Sequence, residues 1–134
     1  MSSKVEKELL AFYSSYMEAL PSGDLESLLG HMSEDTIMYP PGQPSHRGLE
    51  AIRKQQSQKL VGIRVLDWGH TVDRIDVSES GDLGYVAMGL THTIEMGGKT
   101  HFLDNKGVKV FKKVGGVWSL VIDIWNNNPS KETS

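Results

Sequence analysis

Hydrophobic residues recur at helical spacing near the start of the chain. Steps of three or four separate Val5, Leu9, Phe12, Tyr16 and Leu20. This spacing predicts one apolar face of a long amphipathic helix, and the helix should end at Pro21 and Gly23. Two further short helices are predicted, one capped by Asp24 and one beginning near Leu49.

Alternating apolar and polar residues dominate the rest of the chain and predict β-strands. The expected strands lie at 36–39, within 64–77, and at 85–95, 100–111 and 117–126. Paired glycines at 97–98 and 115–116 indicate hairpin turns between the last three strands. Because helices precede strands, the fold class is α+β with an antiparallel meander, not a doubly wound sheet.

Length and composition narrow the classes of function. The 134 residues suit a single domain, expected over residues 1–128, followed by a short polar tail at 129–134 that we expect to be disordered. Lys and Arg number 14 and Asp and Glu 17, so the net charge of −3 argues against nucleic acid or an anionic membrane as the main partner. The chain has no cysteine, which excludes a disulfide scaffold, a thiolate zinc site and a cysteine nucleophile.

Targeting and cofactor motifs are missing from the sequence. The charged start lacks the apolar core of a signal peptide, and no apolar run reaches the roughly 20 residues of a membrane helix, so a cytoplasmic location is predicted. Neither GxGxxG, a Walker loop, HExxH nor GxSxG occurs. The five histidines stand far apart. We therefore expect no cofactor and no metal site.

Three segments together resemble one protein family. They are YMEALPSGDLESLLGHMSEDTIMYPPGQPSHRGLEAIR at 16–53, GDLGYVAMGLTHTIEMGGK at 81–99 and LDNKGVKVFKKVGGVWSLVIDIWNNNP at 103–129. Their order and spacing are similar to the nuclear transport factor 2-like superfamily, in its SnoaL-like and ketosteroid-isomerase-like branch. The resemblance implies a cone-like, strongly curved antiparallel sheet wrapped around the long first helix. It also implies an apolar pocket open at one end and a homodimer through the outer face of the sheet.

Strand alternation combined with the resemblance predicts which residues face the pocket. In the last strand Val121, Asp123 and Trp125 share one face, which the resemblance places inside, while Leu120, Ile122 and Ile124 share the other. Val108, Val110, Ile122 and Ile124 would then form an apolar outer face for a partner. The expected ligand-pocket residues are Tyr39, Met88, Leu90, Asn105, Lys109, Val121 and Trp125.

Asp123, His92 and Tyr16 are the candidate catalytic residues. An ionised carboxylate among the aliphatic neighbours of Asp123 is costly unless it is paired or hydrogen-bonded. It is therefore either a general acid or base or a structural carboxylate, paired with Lys109 on the neighbouring strand or hydrogen-bonded to a backbone or loop group. His92 either orients a substrate and shares a proton with Asp123 or is a satisfied neutral histidine. Tyr16 matches the oxyanion-hole tyrosine of ketosteroid isomerases, or packs on the helix face.

Two departures argue against ketosteroid isomerase activity itself. Where those enzymes carry the catalytic base before a proline, this chain has Tyr39 before Pro40. Where they carry the second oxyanion donor, it has Gly107. The function expected is a SnoaL-like small-molecule pocket with proton-transfer chemistry on a small apolar carbonyl compound. The alternatives are hydrophobic-ligand binding without catalysis and a homo-oligomeric association module.

Overall fold

A computed structural model describes residues 2–59 and 62–129. The helices are α1 (Ser2–Ser22), α2 (Leu25–Leu29) and α3 (Leu49–Lys59). The strands are β1 (Met32–Tyr39), β2 (His46–Arg47), β3 (Ile63–Val77), β4 (Leu83–Met96), β5 (Lys99–Val114) and β6 (Val117–Asn127). Beyond Pro129 the tail that we expected to be disordered lies outside the described residues.

The strands form one six-stranded sheet in the order β2-β1-β6-β5-β4-β3. Its concave face packs on α1, whose Leu9, Tyr13 and Met17 are fully buried together with Phe111 and Leu120 of the sheet. The predicted α+β class, with a long first helix, two short helices and a curved sheet, is confirmed. One pairing differs from the expected antiparallel arrangement, because β1 runs parallel to β6.

The helix ends have local causes in the sequence. Gly23 adopts a φ of +75°, a left-handed conformation that a glycine reaches without steric strain, and it ends α1. Asp24 then caps α2 by accepting a hydrogen bond from the Ser27 backbone N–H at 3.2 Å. α1 runs one residue past Pro21, which lies in its last turn.

A β-bulge in β6 changes which face its side chains occupy. Val110 pairs with Ile122 and Phe111 pairs with Leu120, so Val121 has no partner of its own on β5. The extra residue shifts the alternation by one position. Leu120 therefore points into the core, and our assignment of Leu120 to the outer face with Ile122 and Ile124 was wrong.

Thr36 connects β1 to β6 beside this irregularity. The register of the parallel pair shifts between Met32 and Ile37, and Thr36 is fully buried in the shifted segment. Its Oγ1 donates a hydrogen bond of 2.5 Å to the Leu120 carbonyl oxygen. A side-chain donor thus satisfies a buried backbone acceptor at the bulge.

Candidate functional site

A cavity of about 360 Å³ lies between α1, α2 and the concave face of the sheet. Apolar side chains form most of its wall, and they include Leu20, Leu25, Leu28, Met38, Ile63, Val65, Trp68, Met88, Leu90, Ile94, Leu103 and Trp125. Exposed residues around its edge include Asp24, Gln43 and Asn127, so the cavity is open to solvent there. A largely apolar cavity with a few polar groups is the usual form of a small-molecule site.

Trp125, a residue of the cavity wall, approaches Gly107 closely. The two residues are directly paired across β5 and β6. A Cβ atom at position 107 would lie 2.8 Å from the Trp125 Cβ, closer than any real contact, and would also collide with the Ile124 backbone. Only glycine therefore fits opposite the tryptophan, which explains why no acidic side chain stands at this position.

Three polar side chains meet on the cavity wall, and we call them the polar cluster: Tyr16, Lys109 and Asp123. Lys109 and Asp123 are paired across β5 and β6, and the Lys109 Nζ donates to Asp123 Oδ1 at 2.8 Å. From α1, the Tyr16 hydroxyl donates to Asp123 Oδ2 at 3.3 Å. The three side chains line the cavity although their exposed fractions are only 1%, 4% and 3%.

The polar cluster combines one positive and one negative charge with a neutral phenol. Burial raises the pKa of Tyr16 well above its usual 10.0, and the charge of Asp123 and the hydrogen bond to it act in the same direction. Tyr16 is therefore a hydrogen-bond donor at neutral pH. Lys109 compensates the charge of Asp123, which removes the large penalty of a lone buried carboxylate.

A second polar position, Asn105, lies elsewhere on the wall. Its Oδ1 is buried and has no hydrogen-bond partner among the described residues. His92 also lines the cavity, where its ring packs against Trp68 with centroids 5.6 Å apart. These residues place polar atoms away from the polar cluster and within the same cavity.

The structure does not bring His92 to Asp123. Asp123 pairs with Lys109, Lys109 pairs with Val86, and His92 lies six residues beyond Val86 along β4. At the usual rise of a strand this separation is about 20 Å. The proton sharing between His92 and Asp123 that we considered does not fit this geometry.

Two of the expected pocket residues lie outside the cavity wall. Met38 lines the cavity in place of Tyr39, because β1 enters the sheet with Met38 on the buried face. Val121 is the bulge residue and is likewise absent from the wall, whereas Asp123 and Trp125 are part of it. The other expected residues line the cavity: Tyr16, Met88, Leu90, His92, Asn105 and Lys109.

Sequence reasoning missed the contribution of α2 and β3 to the wall. Leu25 and Leu28 come from the short second helix, and Ile63 and Val65 come from the edge strand. The leucine spacing in α2 signalled an apolar face, but no signal indicated that this face would cover a cavity.

Within residues 2–59 and 62–129, no three His, Asp or Glu side chains are grouped to hold a metal ion. No helix in this part of the chain is both long and apolar enough to cross a bilayer.

Known proteins resemble the chain in sequence and in structure. The model of the SnoaL-like domain family matches residues 9–122. A ketosteroid isomerase-like protein from Erwinia carotovora atroseptica SCRI1043 is similar with a TM-score of 0.83 at 15% identity, over 96% of this chain and 98% of that one. An NTF2-like protein from Cytophaga hutchinsonii ATCC 33406 has a TM-score of 0.76 at 16% identity, over 91% of this chain and 97% of that one.

A further NTF2-like protein, of unknown function and from Pseudomonas putida KT2440, has a TM-score of 0.71 at 17% identity, over 98% of this chain and 92% of that one. No curated protein matches the chain. At these identities the similarity of the solved structures concerns the fold alone.

Proposed function

The chain belongs to the SnoaL-like domain family, within the NTF2-like superfamily, and from that premise we propose that its cavity binds a small, largely apolar carbonyl compound. The fold is one that commonly binds small molecules. A volume of about 360 Å³ lies at the lower end of the roughly 300–1,000 Å³ that is typical of small-molecule pockets.

One observation carries this proposal, the polar cluster in an otherwise apolar cavity. Tyr16 is a protonated donor and Lys109 is a cation, so both favour a carbonyl oxygen as the ligand's polar atom. The apolar wall accommodates the remainder of the ligand. Asn105 Oδ1 offers a second, accepting contact to a ligand that also bears a hydroxyl group.

The same cluster supports proton-transfer chemistry. Asp123 Oδ2 is bound by Tyr16 at 3.3 Å, a long hydrogen bond, whereas Oδ1 is held by Lys109 at 2.8 Å. When a ligand binds, the Tyr16 hydroxyl can donate its hydrogen bond to the carbonyl oxygen of the ligand and no longer to Asp123. Asp123 Oδ2 is then able to accept a proton from the carbon next to the carbonyl. We propose that Asp123 is the base and that Tyr16 and Lys109 stabilise the negative charge that develops on the oxygen. His92 lines the cavity and takes no part in this transfer.

Binding is tested by titration calorimetry with acetophenone and with ethylbenzene, which has a similar shape but no oxygen. We expect acetophenone to bind about fivefold more tightly, equivalent to roughly 1 kcal/mol for one hydrogen bond. The variant Leu90→Trp fills the cavity and should lose binding. Its matched control is Thr91→Trp, since this neighbour is exposed on the opposite face and should bind normally. Equal affinity in both variants would place the ligand elsewhere.

Proton transfer is tested with the same ketone in D₂O. Proton NMR should record faster loss of the acetophenone methyl signal with the wild-type protein and with Thr91→Trp than with Leu90→Trp. Tyr16→Phe should reduce the exchange rate while the protein stays folded. An exchange rate equal to that of buffer alone would leave the cavity as a binding site without catalysis.

We also propose that the protein is a homodimer through the outer apolar face, formed by Val108, Val110, Ile122 and Ile124. Ile124 is 44% exposed in the single chain, and the other three are partly buried. NTF2-like folds are commonly dimeric or ligand-binding. A contiguous apolar sheet face is typical of an interaction surface. The cytoplasmic location stays a prediction from the sequence.

A further inference from the structure

We propose that Lys109 forms a covalent imine with aldehydes that enter the cavity. The inference rests on the proposed function, because it requires that a small carbonyl compound reaches the cavity wall. It goes further by assigning a nucleophile and by naming aldehydes as the substrate class.

The surroundings of Lys109 differ from those of other lysines on the same strand. Lys109 is 4% exposed and lines the cavity, whereas Lys106 and Lys112 are exposed to solvent. Desolvation in an apolar pocket is one of the arrangements that activate a lysine amine as a nucleophile. Its long side chain is also held in position by the hydrogen bond from its Nζ to Asp123 Oδ1.

Asp123 supplies the acid–base step that imine formation needs. Its Oδ1 lies 2.8 Å from the Lys109 Nζ, so a proton can move from the ammonium to the carboxylate without either group leaving its place. The amine then has the lone pair that attack requires.

Imine formation at Lys109 releases one molecule of water. The Nζ lone pair attacks the aldehyde carbon and forms a C–N bond, while the C=O π electrons move to the oxygen, which takes the proton held by Asp123. Asp123 next removes a proton from the nitrogen and returns it to the hydroxyl group. The C–O bond breaks, water leaves, and the nitrogen lone pair forms the C=N bond of a protonated imine beside the carboxylate.

Tyr16 is placed to position the aldehyde for this attack. Its hydroxyl shares Asp123 with Lys109, and the Lys109 Nζ lies 5.7 Å from the centre of its ring. A carbonyl oxygen that accepts a hydrogen bond from Tyr16 therefore has its carbon within reach of the amine. Tyr16 is a positioning residue in this reaction and is not the nucleophile.

The test treats the wild-type protein with benzaldehyde and sodium cyanoborohydride, which reduces an imine to a stable benzylamine. Peptide mass spectrometry over time then identifies the lysines that carry the benzyl group. We expect Lys109 to be labelled on the order of tenfold faster than Lys106, because the cavity holds the aldehyde beside the amine. Lys109→Arg keeps the positive charge next to Asp123 and should abolish the fast labelling, while Lys106→Arg should leave it unchanged.

The position of the label decides the outcome even if Lys109→Arg fails to fold, since it is read on the wild-type chain. Leu90→Trp should slow the labelling of Lys109, and Thr91→Trp should not. Labelling of Lys109 that is no faster than that of Lys106 overturns the inference. If acetophenone binds under those conditions, the proposed function stands without the imine; if neither compound binds, both proposals fail.

Discussion

The buried ion pair between Lys109 and Asp123 can be tested through its contribution to stability. Lys109→Met leaves Asp123 without its cation, and Asp123→Leu leaves Lys109 without its anion. Because both side chains are almost fully buried, each single variant should lose about 3–5 kcal/mol of unfolding free energy. This is a large part of the 5–15 kcal/mol that is typical of a domain.

The double variant Lys109→Met/Asp123→Leu should be more stable than either single variant. It contains no unpaired charge, and the apolar replacements pack against an apolar wall. What remains lost is the acceptor of the Tyr16 hydroxyl, which costs about 1–3 kcal/mol for a buried donor. The two substitutions are therefore strongly coupled, as expected for side chains in direct contact.

Urea unfolding followed by circular dichroism measures these differences. With a slope of about 2 kcal/mol per M, a loss of 4 kcal/mol lowers the midpoint by about 2 M. Lys106→Met on the exposed side of β5 is the matched control and should change the midpoint little. If the double variant loses the sum of the two single losses, the side chains do not act as a pair and the assigned geometry is wrong.

Two further predictions concern pH and assembly. The pKa of Tyr16 is raised above its usual 10.0, so this residue loses its proton at a lower pH in the unfolded chain than in the folded protein. The contribution of Tyr16 to the unfolding free energy is therefore complete below pH 10 and falls as the pH rises further. We expect the urea midpoint to drop between pH 9 and pH 11. Tyr16→Phe should reduce this drop without removing it, because burial also raises the pKa of Tyr13. Sedimentation should detect a dimer of the wild-type protein. Ile124→Glu should dissociate this dimer, while Gln58→Glu at an exposed position of α3 should leave it intact. A wild-type protein that is monomeric at high concentration would refute the dimer.

Much of the fold follows from local signals in the sequence. The spacing of Leu9, Tyr16 and Leu20 placed α1, and Asp24 marked the start of α2. Paired glycines marked the two hairpins that connect β4, β5 and β6. These signals act over a few residues, so a single chain reveals them without knowledge of the tertiary structure.

The candidate site was only partly predictable from the sequence. The wrong predictions concern residues whose positions depend on how distant strands pair. Alternation places Lys109 and Asp123 inside, and the structure joins them as neighbours across two strands. It fails for Leu120 and Tyr39, because a bulge in β6 and the parallel entry of β1 both depend on which strands meet. The distance between His92 and Asp123 likewise depends on strand register, which no single strand encodes.

The bulge at Val121 has a consequence for comparing homologous sequences. Leu120 and Asp123 both face inward only because one additional residue separates them, so the two halves of β6 follow different odd–even frames. A homologue without the insertion would place the equivalent acid one position earlier in the chain. An alignment of the two sequences would then need a gap at Val121 to match the acid of the homologue with Asp123. Without that gap, the alignment would compare a cavity carboxylate with an isoleucine of the outer face.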